Sequence, residues 1–192
     1  MKKLETLCEI KLGTVLSRVK EKDGEGQLFS VISVKAMLGE EVPMLEKLDP
    51  TSGQLVQAEE GDVIVSLTQP NAFVITEKEA GWIIPSTFVC LKIVDKTKLN
   101  PYYLQWFLEN SHCYKKQIHI LKNQGSETNF IKVNDLKNIG LDVPPMEHQE
   151  KMTKLMIQKN REKELYEKKI SLLETFINEQ GNQWIKENQN GK

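Results

Sequence analysis

A chain of 192 residues has room for one domain of ordinary size plus an appendage. Hydrophobic residues make up 39% and charged residues 28%, enough to fill a core and keep it in solution, while a formal net charge of −1 gives no bulk attraction to nucleic acid or to an acidic membrane surface. Cys8, Cys90 and Cys113 are odd in number, far apart and outside any CxxC pattern, which argues against a disulfide scaffold and a zinc ribbon.

The opening Met1-Lys2-Lys3-Leu4-Glu5 is basic but lacks the apolar stretch of a signal peptide, and no later segment has the length of a membrane span. The expectation is a reduced, cytoplasmic protein. Leu28 to Val34 is rich in β-branched and aromatic residues and predicts a strand. Residues 37–62 hold seven carboxylates against Lys47 alone and are broken by Pro43, Pro50 and Gly53. That stretch reads as loop, with at most one short strand at Gln54–Gln57. Gly61-Asp62 makes a turn into a strand at Val63–Leu67. Further strands are expected at Ala72–Thr76, Trp82–Ile84 and Thr87–Val94, the last nearly all apolar and therefore buried.

Asn100-Pro101 has the form of a helix cap followed by proline at the first helical position. Tyr103, Leu104, Phe107 and Leu108 would share one face of that helix. A second amphipathic segment runs from His112 to Leu121, with Lys115 and Lys116 outward and Ile118 and Leu121 inward. Residues 123–129 form a polar loop; Asn134-Asp135 would cap one helical turn before a last strand at Ile139–Val143.

Pro144-Pro145 terminates whatever precedes it, because proline fixes φ and restricts its predecessor. From Met146 no proline or glycine occurs until Gly181. Within this stretch Met152, Met156, Lys159, Lys163, Tyr166, Ile170, Leu173, Ile177, Gln180 and Trp184 alternate spacings of four and three, the seam of a helix that pairs with another helix. A helix of 35 residues would span about 50 Å at the standard rise. The expected fold class is α+β: a mixed α/β domain over residues 1–145, a long coiled-coil-forming helix over 146–180 and a tail over 181–192.

Chemical constellations are few. Asn100-Pro101-Tyr102-Tyr103 suggests the Asn-Pro-Pro-Tyr motif of amino-methyltransferases, but the second proline is missing and no glycine-rich turn offers a cofactor site. His112, Cys113 and His119 lack the third and fourth ligands of a zinc site. No catalytic, metal or cofactor site is expected. One cluster remains: Lys115, Lys116 and Lys122, with His112 and His119, lead into Asn123, Gln124, Ser126, Thr128 and Asn129, and Tyr114 adds an aromatic ring. Lysines neutralise phosphates, and amide side chains can contact adenine edges in the major groove of double-stranded DNA. Arg18, Lys20 and Lys22 form a second basic group.

The order of these motifs resembles one half of a type I restriction–modification specificity subunit, a target recognition domain followed by a spacer helix. The resemblance is carried by Leu4 through Gly13, Gly61 through Ser66, Asn100-Pro101-Tyr102-Tyr103-Leu104 with Phe107-Leu108, Gly125 through Asn129 with Asp135 through Ile139, and Pro144-Pro145-Met146-Glu147-His148-Gln149. It departs at His148, where the family usually has glutamate, and in holding one recognition domain and one helix where the family usually has two. The resemblance implies a non-catalytic subunit that directs a modification (methyltransferase) subunit and, through the complex, a restriction subunit. A single-copy chain would rebuild the paired arrangement as a homodimer through Met152, Met156, Tyr166, Ile170, Leu173 and Ile177, reading two palindromic half-sites. The alternative is a free-standing sequence-specific DNA-binding protein, a regulator or decoy without methyltransferase partners.

Overall fold

The computed structural model describes residues 1–20, 26–123 and 131–190. It is α+β, and its residues divide into two compact units, Met1–Glu150 and Lys151–Lys192. In the first unit the strands are β1 (Lys2–Lys3), β2 (Cys8–Leu12), β3 (Gln27–Val31), β4 (Met44–Leu48), β5 (Val63–Ser66), β6 (Ala72–Val74), β7 (Phe88–Ile93) and β8 (Gly140–Leu141). The helices there are α1 (Val34–Leu38), α2 (Pro101–Asn110), α3 (His112–Asn123) and α4 (Val133–Asn138). The last helix, α5 (Met146–Asn190), begins in the first unit and continues through the second.

A four-stranded antiparallel sheet in the order β2-β7-β5-β6 forms the centre. Its inner strands read as apolar runs because both faces are covered: all of β5 is buried, and only Lys92 of β7 is partly open. One face is filled by Ile32, Ala58, Ile64, Phe73, Ile75, Ile84, Phe88 and Cys90. Against β5 and β6 lies α2, which buries Tyr103, Leu104, Phe107 and Leu108. A separate hairpin, β3–β4, covers a smaller cluster of Val19, Val31, Leu48 and Ile83.

The stretch expected as a strand at Trp82–Ile84 joins the two cores without forming a regular ladder. Ile83 N–H donates to Ser30 O at 2.8 Å, and Ile84 N–H donates to Val56 O at 2.9 Å. Alternation sends Ile83 into the hairpin cluster and Ile84 into the main one. Gly13 passes so close to this stretch that a Cβ there would collide with the carbonyl oxygens of Ile84 and Pro85.

Several sequence expectations need correction. The acidic stretch contains a strand at Met44–Leu48, not at Gln54–Gln57, where only Gln57 forms a bridge, to Ile83. Pairing with β3 supplied the signal that local composition hid. The strand expected at Leu28–Val34 ends at Val31, because Ser33 caps α1 by accepting from Ala36 N–H. The turn expected behind an Asn134-Asp135 cap starts at Val133, with Lys132 at the cap position and no side-chain cap hydrogen bond. The helix expected to end near residue 180 passes through Gly181 to Asn190.

The motifs at Asn100 and Pro144 interlock. The Asn100 side chain accepts from Tyr102 N–H at 2.9 Å and from Tyr103 N–H at 3.4 Å, capping α2. Tyr103 O–H donates to Asp142 O at 2.8 Å. Gln149, with no exposed surface, accepts from Asn100 N–H at 2.8 Å through Oε1 and donates through Nε2 to Lys98 O at 2.9 Å and Pro144 O at 2.8 Å. The first turn of α5 is thereby fastened to the start of α2. His148 keeps its side chain exposed and joins that turn through its backbone N–H, which donates to Pro145 O at 3.0 Å.

Gln149→Ala removes three hydrogen bonds to one backbone donor and two carbonyl oxygens in a partly buried site and leaves a cavity where the amide was. It is expected to lower unfolding free energy by about 3 kcal/mol, against about 1 kcal/mol for Asn100→Ala, which removes only a cap. Urea unfolding of the two variants reads both effects; a Gln149→Ala midpoint equal to wild type would contradict the anchoring role.

Candidate nucleic-acid interface

Helix α3 builds the best-defined basic surface. It packs against α2, with Tyr114 buried and its ring 5.8 Å from that of Phe107. The aromatic residue first counted with the basic cluster therefore belongs to the core; the cue was its place one helical turn from Ile118 on the inward face. Gln117 fixes the far side of the helix: its Nε2 donates to Gly140 O at 2.9 Å, and its Oε1 accepts from Gly140 N–H at 2.7 Å. With the inward side secured by Tyr114 and Gln117, Lys115 and Lys116 point outward and are exposed. Neither forms an ion pair among the described residues.

Arg18 and Lys20 are also exposed, but they lie beside the β3–β4 hairpin, where Lys20 bridges to Leu48 and its Nζ is 3.8 Å from Glu46. They are thus on different elements from α3, and Lys20 is partly neutralised. Lys22, Gln124, Ser126, Thr128 and Asn129 lie outside the described residues, while Lys122 and Asn123 form the last backbone turn of α3.

One loop absent from the sequence expectations stands next to α3. Residues 67–71 connect β5 to β6 and border two clefts. The first, about 290 Å³, is lined by this loop, Leu108, Tyr114, Lys115, Ile118 and His119. The second, about 380 Å³, is lined by Ser66, Thr68, Gln69, Ile32, Lys35 and Thr87, among others. Polar residues in a short turn between two strands give only a generic turn signal in sequence; their position between the clefts depends on the pairing of β5 with β6 and β7.

The Gly61-Asp62 motif is architectural. Gly61 takes φ +84°, and Asp62 is buried, accepting from Glu59 N–H at 3.0 Å and from the Cys90 thiol at 3.4 Å. Lys92 lies 2.5 Å from Glu59 and 3.9 Å from Asp62, and its hydrogen bond and charge hold the Glu59 carboxyl below the usual range. Among the described residues no group of three or more His, Cys, Asp or Glu could hold a metal ion, and no helix is long and apolar enough to cross a membrane.

Burial raises the Tyr114 hydroxyl from an ordinary 10.0 to about 12 and the Cys8 thiol from 9.0 to about 12. Both shifts are upward, so the folded chain holds these protons more tightly than the unfolded one. Their contribution is complete below about pH 9 and is lost as pH rises toward 12. Urea midpoints should fall across that interval, and more shallowly in Tyr114→Phe; a midpoint that rises there would contradict the assigned burial.

The family model for the type I restriction modification DNA specificity domain matches residues 1–175. Among solved structures, a chain from a study of complex assembly and conformational transition of the type I R-M system is 17% identical with a TM-score of 0.61, the match covering 84% of this chain and 42% of that one. The HsdS subunit from Thermoanaerobacter tengcongensis is 21% identical with a TM-score of 0.53, covering 84% and 37% respectively. These likenesses concern the fold, and the chain spans about two-fifths of the length of each. A comparison with curated proteins gives no significant match. With the family model matching from Met1 through Thr175, this chain belongs to the type I restriction–modification DNA specificity domain family.

Proposed function

We propose that this chain is a sequence-recognition unit of a type I restriction–modification system: the first unit binds double-stranded DNA, and α5 pairs with α5 of a second copy. Two recognition domains would then read a bipartite, palindromic site. Methyl transfer would fall to a modification subunit and cleavage to a restriction subunit recruited through the complex, so that this chain supplies the address and no chemistry. The family match over residues 1–175 carries this reading.

Two physical features support its parts. Lys115 and Lys116 offer exposed ammonium groups to phosphates from a helix held in place on its other side. On α5, Tyr166, Ile170, Leu173 and Ile177 continue the four-three ridge and are 66%, 55%, 50% and 65% exposed. Fully covering one such apolar side chain stabilises by roughly 1.5–3 kcal/mol, and an isologous pairing would cover the ridge twice, against the cost of association. Met152 is half-buried and Met156 buried within the single chain, so the pairing we propose uses the ridge from Tyr166 onward.

Selection from a random duplex pool should return a consensus of two related half-sites. Lys115→Glu should weaken binding to every duplex by a similar factor and flatten the salt dependence. The double variant Ile170→Asp, Leu173→Asp should bind one half-site as wild type does, yet lose roughly a hundredfold or more on the two-site duplex. Fluorescence anisotropy measures both. Equal affinity of all three proteins for the two-site duplex would sink the proposed arrangement, and co-purification with modification subunits tests the partnership separately.

A further inference from the structure

Resting on that DNA-binding reading, we infer that Gln69, at the tip of the β5–β6 loop, is a base-reading residue that determines part of the recognised sequence.

The loop is held in one shape by its own backbone. Ser66, only 1% exposed, accepts at its Oγ from Thr68 N–H at 3.3 Å and from Gln69 N–H at 3.2 Å. Asn71 N–H donates to Gln69 O at 2.8 Å around Pro70, and Ser66 N–H donates to Asn71 O at 3.0 Å. Leu67 is fixed from both sides: its N–H donates to Thr87 O at 2.9 Å, and its carbonyl accepts from Ile131 N–H at 3.2 Å. The stem is clamped as well. β6 is an edge strand, and its first residue, Ala72, has its outward N–H bonded to the Glu109 carboxylate at 3.2 Å and its carbonyl to Gln105 Nε2 at 2.9 Å. These two side chains, one helical turn apart on α2, hold both backbone groups of the first edge residue where the loop meets the sheet.

Against this fixed frame the Gln69 side chain is exposed, and its amide makes no hydrogen bond among the described residues. An amide carries a donor and an acceptor side by side, the pattern that matches the N7 and N6 edge of adenine. A preformed loop presents it with little ordering cost on binding. The ridge has a cleft on either flank: Lys115 rims one, and Lys35, 4.0 Å from Glu41 on the same rim, lines the other, so Lys115 is the cation placed for a backbone phosphate beside the inserted loop. Pro70 restricts the backbone of Gln69, the residue before it.

The test is duplex selection with the full chain as wild type, Gln69→Ala and Gln69→Glu. Unchanged urea midpoints verify that both variants fold, as an exposed side chain without a partner requires. Wild type is expected to select adenine at one position in each half-site. Gln69→Ala is expected to lose about ten- to a hundredfold of the preference at that position alone, with the other positions and the salt dependence retained. Gln69→Glu is expected to shift the preference there toward cytosine, whose amino group a carboxylate accepts. If wild type selects a consensus and both variants select the same one with the same preference, Gln69 does not read a base, while the DNA-binding reading stands. If wild type selects nothing, the DNA-binding reading fails and the inference falls with it.

Discussion

A buried amide needs hydrogen bonds, and Gln149 makes three with backbone groups of Lys98, Asn100 and Pro144. Its acceptor takes the N–H of the residue that caps α2, and its donor serves the carbonyls of Lys98, just before α2, and Pro144, just before α5. The α2 cap, the tyrosine that reaches Asp142 and the Pro-Pro turn thus share one small network. Because α2 also completes the edge of the central sheet through Gln105 and Glu109, the network reaches from the start of the long helix to the stem of the β5–β6 loop.

This arrangement separates architecture from recognition. The Gly61-Asp62, Asn100-Pro101-Tyr102-Tyr103 and Pro144-Pro145…Gln149 motifs all serve backbone hydrogen bonds, turns or caps. The groups that remain available, Lys115, Lys116 and Gln69, are on a helix face and a loop tip that the same contacts hold steady. A specificity module gains from this division: the scaffold can stay fixed while the side chains at its surface change.

Much of the scaffold was legible because its signals are local. Val63–Ser66 and Phe88–Ile93 are apolar without interruption, and Asn100-Pro101 is a cap with its own stereochemistry. The start of α5 follows from the Pro144-Pro145 pair ahead of it. Met44–Leu48 was missed because its carboxylates and flanking prolines mimic a loop; only the ladder with β3 makes it a strand. Tyr114 was counted with the basic cluster because it adjoins Lys115 and Lys116, whereas its packing partner Phe107 lies on a different helix. The β5–β6 loop gave no distinctive signal, since nothing in Thr68-Gln69-Pro70-Asn71 reveals that two clefts will flank it.

The central claim is that the recognition domain works in pairs through the exposed ridge of α5. Sedimentation equilibrium of the full chain tests it most directly. The account predicts a species of twice the 22.1 kDa chain mass that dissociates on dilution, and that Ile170→Asp with Leu173→Asp leaves as monomer. A wild-type chain that stays monomeric at every concentration, alone and on a two-site duplex, would contradict it.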